Sequence, residues 1–141
     1  MSLSNVRSYL RARLDGLGFR EHDDGFPTDN IPETVIDRSY HILVNSIDGG
    51  PINHTHQDTF SNVEIRVFFR GFRNVTEAID SSISGVETII RDVCKVANRT
   101  STVLNCVFEN CTFEPMNSSN DNSVLVTMSF NVQVILGVEE N

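Results

Sequence analysis

The residues with the most chemical potential lie together in the stretch Asn53-His54-Thr55-His56-Gln57-Asp58. Two imidazoles at i and i+2, followed by a carboxylate at i+4, share one face of an extended strand and offer three ligands with a fourth position open, the arrangement of a catalytic zinc site. His41 and Cys106 are the distant side chains with suitable chemistry to assist. The local context argues the other way. The triplet follows Asp48-Gly49-Gly50-Pro51, which reads as a turn, whereas metal ligands are normally held on rigid elements with a supporting shell of hydrogen bonds. The expectation is therefore no metal and no cofactor, with His54, His56 and Asp58 as the residues that would hold zinc if one were bound. Asp48, Asn53, His54, His56, Gln57 and Asp58 read instead as contact residues on a projecting hairpin. Histidines in such a contact would make assembly sensitive to mild acid.

Other catalytic constellations are missing from the sequence. No Gly-x-Ser-x-Gly elbow and no phosphate-cradling glycine loop occurs. Cys94 falls within the pattern of a long helix and reads as a structural thiol. Cys106 and Cys111 are an odd number of residues apart on one strand, so alternation places them on opposite faces. All three are expected as reduced thiols. Glu21, Asp23 and Asp24, with Asp29 beyond, could hold a divalent cation weakly, but they lack the ligand spacing and turn glycine of a calcium loop and read as a solvated loop. No catalytic residue is assigned, and the chain is not expected to be an enzyme.

The elements that must position these residues follow from periodicity. Val6, Leu10, Leu14 and Leu17 recur at helical spacing after Ser4, a suitable N-cap, and Gly16 and Gly18 supply the stop. The following run, "REHDDGFPTDNIPE", is crowded with Asp, Gly and Pro and reads as a long surface loop over residues 20–33. A strand is predicted over 34–47, a hairpin connection over 48–59 and a partner strand over 60–69. Val75, Ile79, Ile83, Val86, Ile90, Val93 and Ala97 then describe a long amphipathic helix, in which Ser81, Ser82, Ser84 and Gly85 lower the intrinsic propensity. Strands over 102–114 and 123–135 complete the chain. In the last, Val124, Val126, Met128, Phe130, Val132 and Val134 alternate without a break against polar residues.

This order predicts one α+β domain spanning 1–141: a four-stranded, mostly antiparallel sheet with two helices on one face, in the order α-β-β-α-β-β. The second face of the sheet is expected to be open and suited to association through edges or faces. A length of 141 residues fits a single core, and a 39% apolar fraction without a long apolar run excludes a helical membrane span. The start, "MSLSNVRSYLRARLDG", lacks the apolar segment and cleavage site of a secretory signal, so the protein is expected to be made and kept in a cytoplasm. A formal net charge of −8 argues against a phosphate-neutralising surface and against a nucleic-acid-binding module.

The N-terminal amphipathic helix, the run "IPETVIDRSYHILV", the hairpin ending in "EIRVFFRGF", the long helix "NVTEAIDSSISGVETIIRDVCKVAN" and the terminal strand pair resemble the tail terminator proteins of long-tailed bacteriophages. The resemblance covers nearly the whole chain and rests on element order, size and character. It implies a structural virion protein at the tail-neck junction, present in the host cytoplasm during assembly. Such a protein forms a hexameric ring, caps the tail tube, ends tube growth and presents a surface for head-tail joining. Its implied partners are its own copies, the tail tube protein and the head connector or neck proteins. DNA would pass through the channel without specific binding, helped by acidic side chains. A neck or head-completion connector protein has the same general character and stays open as an alternative, as does a small metal-dependent hydrolase using His54, His56 and Asp58. The hairpin over 48–59 and the loop over 21–33 are expected to contact neighbouring rings. Deleting residues 50–57 is then expected to spare folding and abolish joining.

Overall fold

The computed structural model of the chain describes residues 4–21, 38–52, 56–71, 75–95, 103–118 and 121–137. Helix α1 (Ser4–Gly16) buries Val6, Tyr9, Leu10 and Leu14 along one stripe, as the spacing predicts. It ends through Gly18 at φ 90°, a left-handed conformation that glycine adopts without steric cost. The reversal lets the Phe19 N–H donate to the Leu14 carbonyl at 3.1 Å and drops Phe19 into the core, where its ring lies edge-on to Phe69 with centroids 6.0 Å apart.

The next residues form β1 (Arg20–Glu21), which runs parallel to the start of β2 (Ser39–Ile52) through Arg20↔Ser39 and Glu21↔Tyr40. β2 is antiparallel to β3 (His56–Gly71), β3 to β5 (Asp121–Gly137), and β5 to β4 (Val103–Ser118). The result is a five-stranded mixed sheet of order β1-β2-β3-β5-β4, and it corrects the expected four-stranded antiparallel sheet in the order α-β-β-α-β-β. The chain order is α1-β1-β2-β3-α2-β4-β5. A two-residue strand carries no periodicity that a sequence could display. Its pairing depends on Arg38, whose carbonyl accepts from the Arg20 N–H at 3.0 Å and whose own N–H donates to the Phe68 carbonyl at 2.7 Å. Arg38 has φ 69°, an unusual conformation for a residue with a Cβ, and its guanidinium stacks 4.5 Å from the centre of the Phe19 ring.

The hairpin between β2 and β3 also differs from expectation. Asp48-Gly49-Gly50-Pro51 is not the turn: β2 continues to Ile52, β3 resumes at His56, and Gly49↔Thr59 and Ile52↔Gln57 are paired. The glycines serve close approach. A Cβ on Gly50 would lie 2.8 Å from the Phe60 ring and 3.0 Å from the Asp58 carbonyl, and the register shifts between Gly49 and Ile52. Glycine in a strand commonly marks such a bulge.

Helix α2 (Val75–Val93) follows β3 and packs on the sheet, but its buried stripe is rotated from the one expected. Ala78, Ser82, Gly85, Val86, Ile89 and Val93 face the core, whereas Ile83 is 51% exposed. The cause is steric. A Cβ at Gly85 would fall 2.5 Å from the Phe69 ring, so the small residues that weaken the helix are those that let it approach the strands. The Ser82 hydroxyl satisfies itself by donating to the Ile79 carbonyl at 2.7 Å. The two helices share one core with the sheet: the Tyr9 hydroxyl donates to the Val93 carbonyl at 2.7 Å, and the Tyr40 hydroxyl donates to Asp15 Oδ1 at 2.7 Å.

The second face of the sheet is not uniformly open. Ser39, Phe68, Ser123 and Leu125 lie by register on the side away from the helices and are all buried, with Phe68 at 0% exposure. Phe60, Asn62, Asn131 and Gln133, toward the other end of that face, are part-exposed.

Candidate interaction surface

The paired strands of the β2–β3 hairpin carry the helix-side face past the residues that the helices cover. Tyr40 and Ile42, near its base, are buried, but Val44 is 39%, Ile47 47% and Ile52 71% exposed. All three lie on the helix side by register: Val44 opposite the core residue Val63, Ile47 opposite Ser61, and Ile52 opposite Gln57. Along this arm β2 has β3 on one side, and on the other, among the described residues, no strand beyond the short pairing with β1 at Ser39 and Tyr40. An apolar stripe on an extended arm is a surface with an unmet hydrophobic partner. Sequence reading places Val44 and Ile47 in the strand over 34–47 and Ile52 in the hairpin connection over 48–59, and singles out none of them as a contact residue. The signal it lacks is how far the helices reach.

On the opposite face, bulges aim polar groups at one another. The register of β2 shifts around Asn45, and that of β4 shifts around Glu109. Both residues then reach Asn62 of β3: Asn45 Nδ2 donates to Asn62 Oδ1 at 3.3 Å, and Asn62 Nδ2 donates to Glu109 Oε1 at 2.8 Å. Beside this bridge Phe60, Asn105, Val107, Glu109, Asn131 and Gln133 line an open depression. Val107 there is 49% exposed. The lining is amide, carboxylate and apolar, the chemistry of a polypeptide contact and not of a phosphate site.

Both exposed edges are blunted against open-ended strand addition. β4 carries register shifts between Val103 and Asn105 and between Phe108 and Asn110, with Pro115 beyond; β2 carries its own shifts and Pro51. Bulges and prolines interrupt the ladder that an added strand would need. Strand addition at either edge is thereby disfavoured.

The residues singled out in the sequence do not converge. Glu21 belongs to β1, and Arg11 Nε donates to its Oε2 at 2.8 Å with Arg7 at 4.0 Å, so it braces α1 and is not part of a loop cation site. The same contact raises the pKa of Arg11, through the hydrogen bond to Glu21 first and its charge second. Asp23, Asp24, Asn53 and His54 lie outside the described residues, and His56 begins β3. Gln57 is a brace: its Nε2 donates to the Gly50 carbonyl at 3.0 Å. Asp48 is exposed and sits opposite Phe60, and Asp58 sits opposite Ile135. Of the two distant helpers, Cys106 is buried on the helix side while Asp58 belongs to the other face, and His41, which shares that face, pairs with Arg66, far along β3 from Asp58. Among the described residues no group of three or more His, Cys, Asp or Glu is placed to hold a metal. No described helix is long and apolar enough to cross a membrane.

The cysteines depart from expectation as well. The bulge at Glu109 adds a residue between Cys106 and Cys111, which therefore face the same side, opposite Val132 and Met128. Helix α2 ends at Val93, so Cys94 occupies the turn after it, with its N–H on the Ile90 carbonyl at 3.0 Å. A hydrogen bond from the Cys106 thiol, aided by the Phe108 N–H and opposed by burial, brings the Cys94 pKa down to about 7. The same bond, then burial, drives Cys106 up. Burial alone pushes Cys111 up to about 11. Burial raises Tyr9 to about 12, assisted by Cys106 and opposed by Arg13.

Comparison with known protein families and with curated proteins gives no match to this chain.

Proposed function

We propose that this protein is a structural assembly subunit of the tail terminator kind. It associates with its own copies in a hexameric ring at the tail-neck junction of a virion, caps the tail tube, ends tube growth and presents the surface for head-tail joining. The observation that carries the reading is the β2–β3 arm, whose stripe of Val44, Ile47 and Ile52 is exposed on the side that forms the core elsewhere in the sheet. A ring of identical subunits needs two different complementary patches on each copy, because its contacts are head-to-tail. The apolar stripe and the amide-lined depression around Phe60 and Val107 supply two such patches on opposite faces. The role requires no catalytic group. The acidic balance of 19 Asp and Glu against 11 Lys and Arg suits a channel that lets DNA slide through.

The test uses charge substitution, because residues 50–52 and 56–57 belong to paired strands and deleting 50–57 would cut the ladder itself. Native protein and an Ile47→Asp/Ile52→Asp variant are imaged by negative-stain electron microscopy across a concentration series, alone and with isolated tail tubes. Sixfold rings, or caps on tube ends, are expected from the native protein and not from the variant, with both melting alike by circular dichroism. Rings from the variant would remove the arm's role. Native monomers that ignore tube ends would overturn the terminator reading, and binding to heads without tubes would identify a neck connector.

A further inference from the structure

We propose that the depression between Phe60 and Val107 receives an arginine side chain of a partner polypeptide. The inference rests on the reading of this depression as a contact patch and names the group that enters it. By register it is a grid of two rungs across three strands, Phe60–Gln133–Asn105 and Asn62–Asn131–Val107, on the face away from the helices. Its volume of about 240 Å³ is on the scale of one long side chain. Glu109 is held over this floor instead of turning outward at the sheet edge. Asn62 belongs to β3 and Glu109 to β4, with β5 between them, so the 2.8 Å hydrogen bond from Asn62 Nδ2 to Glu109 Oε1 draws the carboxylate inward across a whole strand. Asn45 Nδ2, donating to Asn62 Oδ1 at 3.3 Å, fixes the orientation of that amide. Glu109 Oε1 is thereby engaged, and among the described residues its Oε2 has no hydrogen-bond partner.

The charge around the depression is uncompensated. Asp48 sits opposite Phe60 on β2, and Asp58 precedes Phe60 by two residues on the same face, so carboxylates flank the aromatic end as well. β4 and β5, which supply most of the lining, contain no Lys, Arg or His. The nearest described Lys or Arg on this face of the two neighbouring strands is Arg66, whose guanidinium is engaged by Glu64 at 3.3 Å. It lies roughly 13 Å along β3 from Asn62, beyond a Debye length of about 8–10 Å. The field over the depression is therefore negative, and a cationic partner complements it.

The other lining groups narrow the cation to a guanidinium. It is planar, so it can lie on an aromatic ring while its N–H groups donate in its own plane, and it gives up its water more readily than an ammonium does. Phe60 supplies the ring, Glu109 Oε2 the charged acceptor, and the Asn131 and Gln133 side-chain carbonyls further acceptors. Val107, 49% exposed, is an apolar rest for the aliphatic stem. A lysine ammonium uses the charge but not the plane. The occupant is part of a polypeptide because an exposed ion pair contributes only about 0–1 kcal/mol, so the arginine is retained as one element of a wider contact.

The probe is a short glycine-rich peptide carrying one arginine beside a photoreactive diazirine residue, with lysine and citrulline versions for comparison. Each is irradiated at millimolar concentration with the native protein, diluted below any ring formation, and with the Ile47→Asp/Ile52→Asp variant, which alters only the opposite face. Labelled sites are mapped by peptide mass spectrometry. The arginine peptide should label residues 58–62, 103–109 and 131–133, and the citrulline version, which keeps the shape and loses the charge, should label them roughly threefold to tenfold less. Glu109→Gln and Phe60→Leu should each lower arginine labelling toward the citrulline level. Equal labelling by arginine and citrulline, equal labelling by arginine and lysine, or labels scattered over other faces would each overturn the proposal. Ring formation is scored separately by electron microscopy. Rings from a protein that arginine does not label would sink this inference and leave the proposed function standing, whereas labelling of a protein that forms no ring would support this inference and count against the ring. Because the native chain is mapped directly, the conclusion does not depend on any variant folding.

Discussion

The base and the arm of the β2–β3 hairpin are built from the same kind of residue on the same side of the same sheet, yet they end in opposite environments. At the base, Tyr40, Ile42, Val63, Ile65 and Val67 are at most 3% exposed, under the helices and beside the Phe19 and Phe69 rings. On the arm, Val44, Ile47 and Ile52 reach 39–71%. The strands do not differ; what lies over them does. Alternation states which face a side chain takes, and only a second layer decides whether that face is a core or a contact surface.

The contrast can be broken first at its buried end. Phe130, at 0% exposure and 5.7 Å from the Phe108 ring, fills the centre of the covered half, and Phe130→Ala should cost about 3–5 kcal/mol in urea unfolding. A loss below 1 kcal/mol, on the order of a surface change, would mean that the covered half is not a packed core. Gly85→Val comes next. Its side chain would enter the space of the Phe69 ring, which lies 2.5 Å from where the first side-chain carbon would stand, and overpacking of this kind costs about 1–3 kcal/mol. Native-like stability of that variant would show that α2 can lift from the sheet freely.

A pH series sharpens the same half. Burial raises Tyr9 from 10.0 to about 12, so between those values the unfolded chain has released a proton that the fold retains. Stability from this group is complete below pH 10, falls as pH rises through that window and levels off above about 12. Tyr9→Phe should remove that part of the slope, and an unchanged slope would assign it elsewhere. The smallest effect belongs to the arm: Ile52→Ser should change monomer stability by no more than about 0.5 kcal/mol. A loss near that of Phe130→Ala would show the arm to be part of the core and not a contact surface.

Much of the fold was legible from local pattern. Both helices, the four long strands and the glycine stop of α1 follow from spacing, because apolar periodicity and left-handed glycine positions are properties of short segments. The errors share a cause. Asp48-Gly49-Gly50-Pro51 has the composition of a turn and serves as a bulge, since what decides is the Phe60 ring across the ladder. Ile83 has the right period for the buried stripe of α2 and is exposed, since Gly85 against Phe69 sets the helix rotation. Cys106 and Cys111 have the wrong parity to share a face and do share one, since Glu109 is an inserted residue whose presence shows only in the register with β5.

For the candidate surface the balance is reversed. Sequence pointed to the hairpin but to the histidine stretch within it, because His and Asp advertise chemistry and Val44, Ile47 and Ile52 do not. By itself the chain determined the elements, the acidic balance and the absence of recognisable catalytic motifs, all of which depend on residues near one another in sequence. Tertiary structure decided the parallel pairing of β1, the rotation of α2, the shared face of Cys106 and Cys111 and the exposure of the arm. Each of these depends on which distant residue comes to occupy the neighbouring volume, and that is a property of packing in three dimensions.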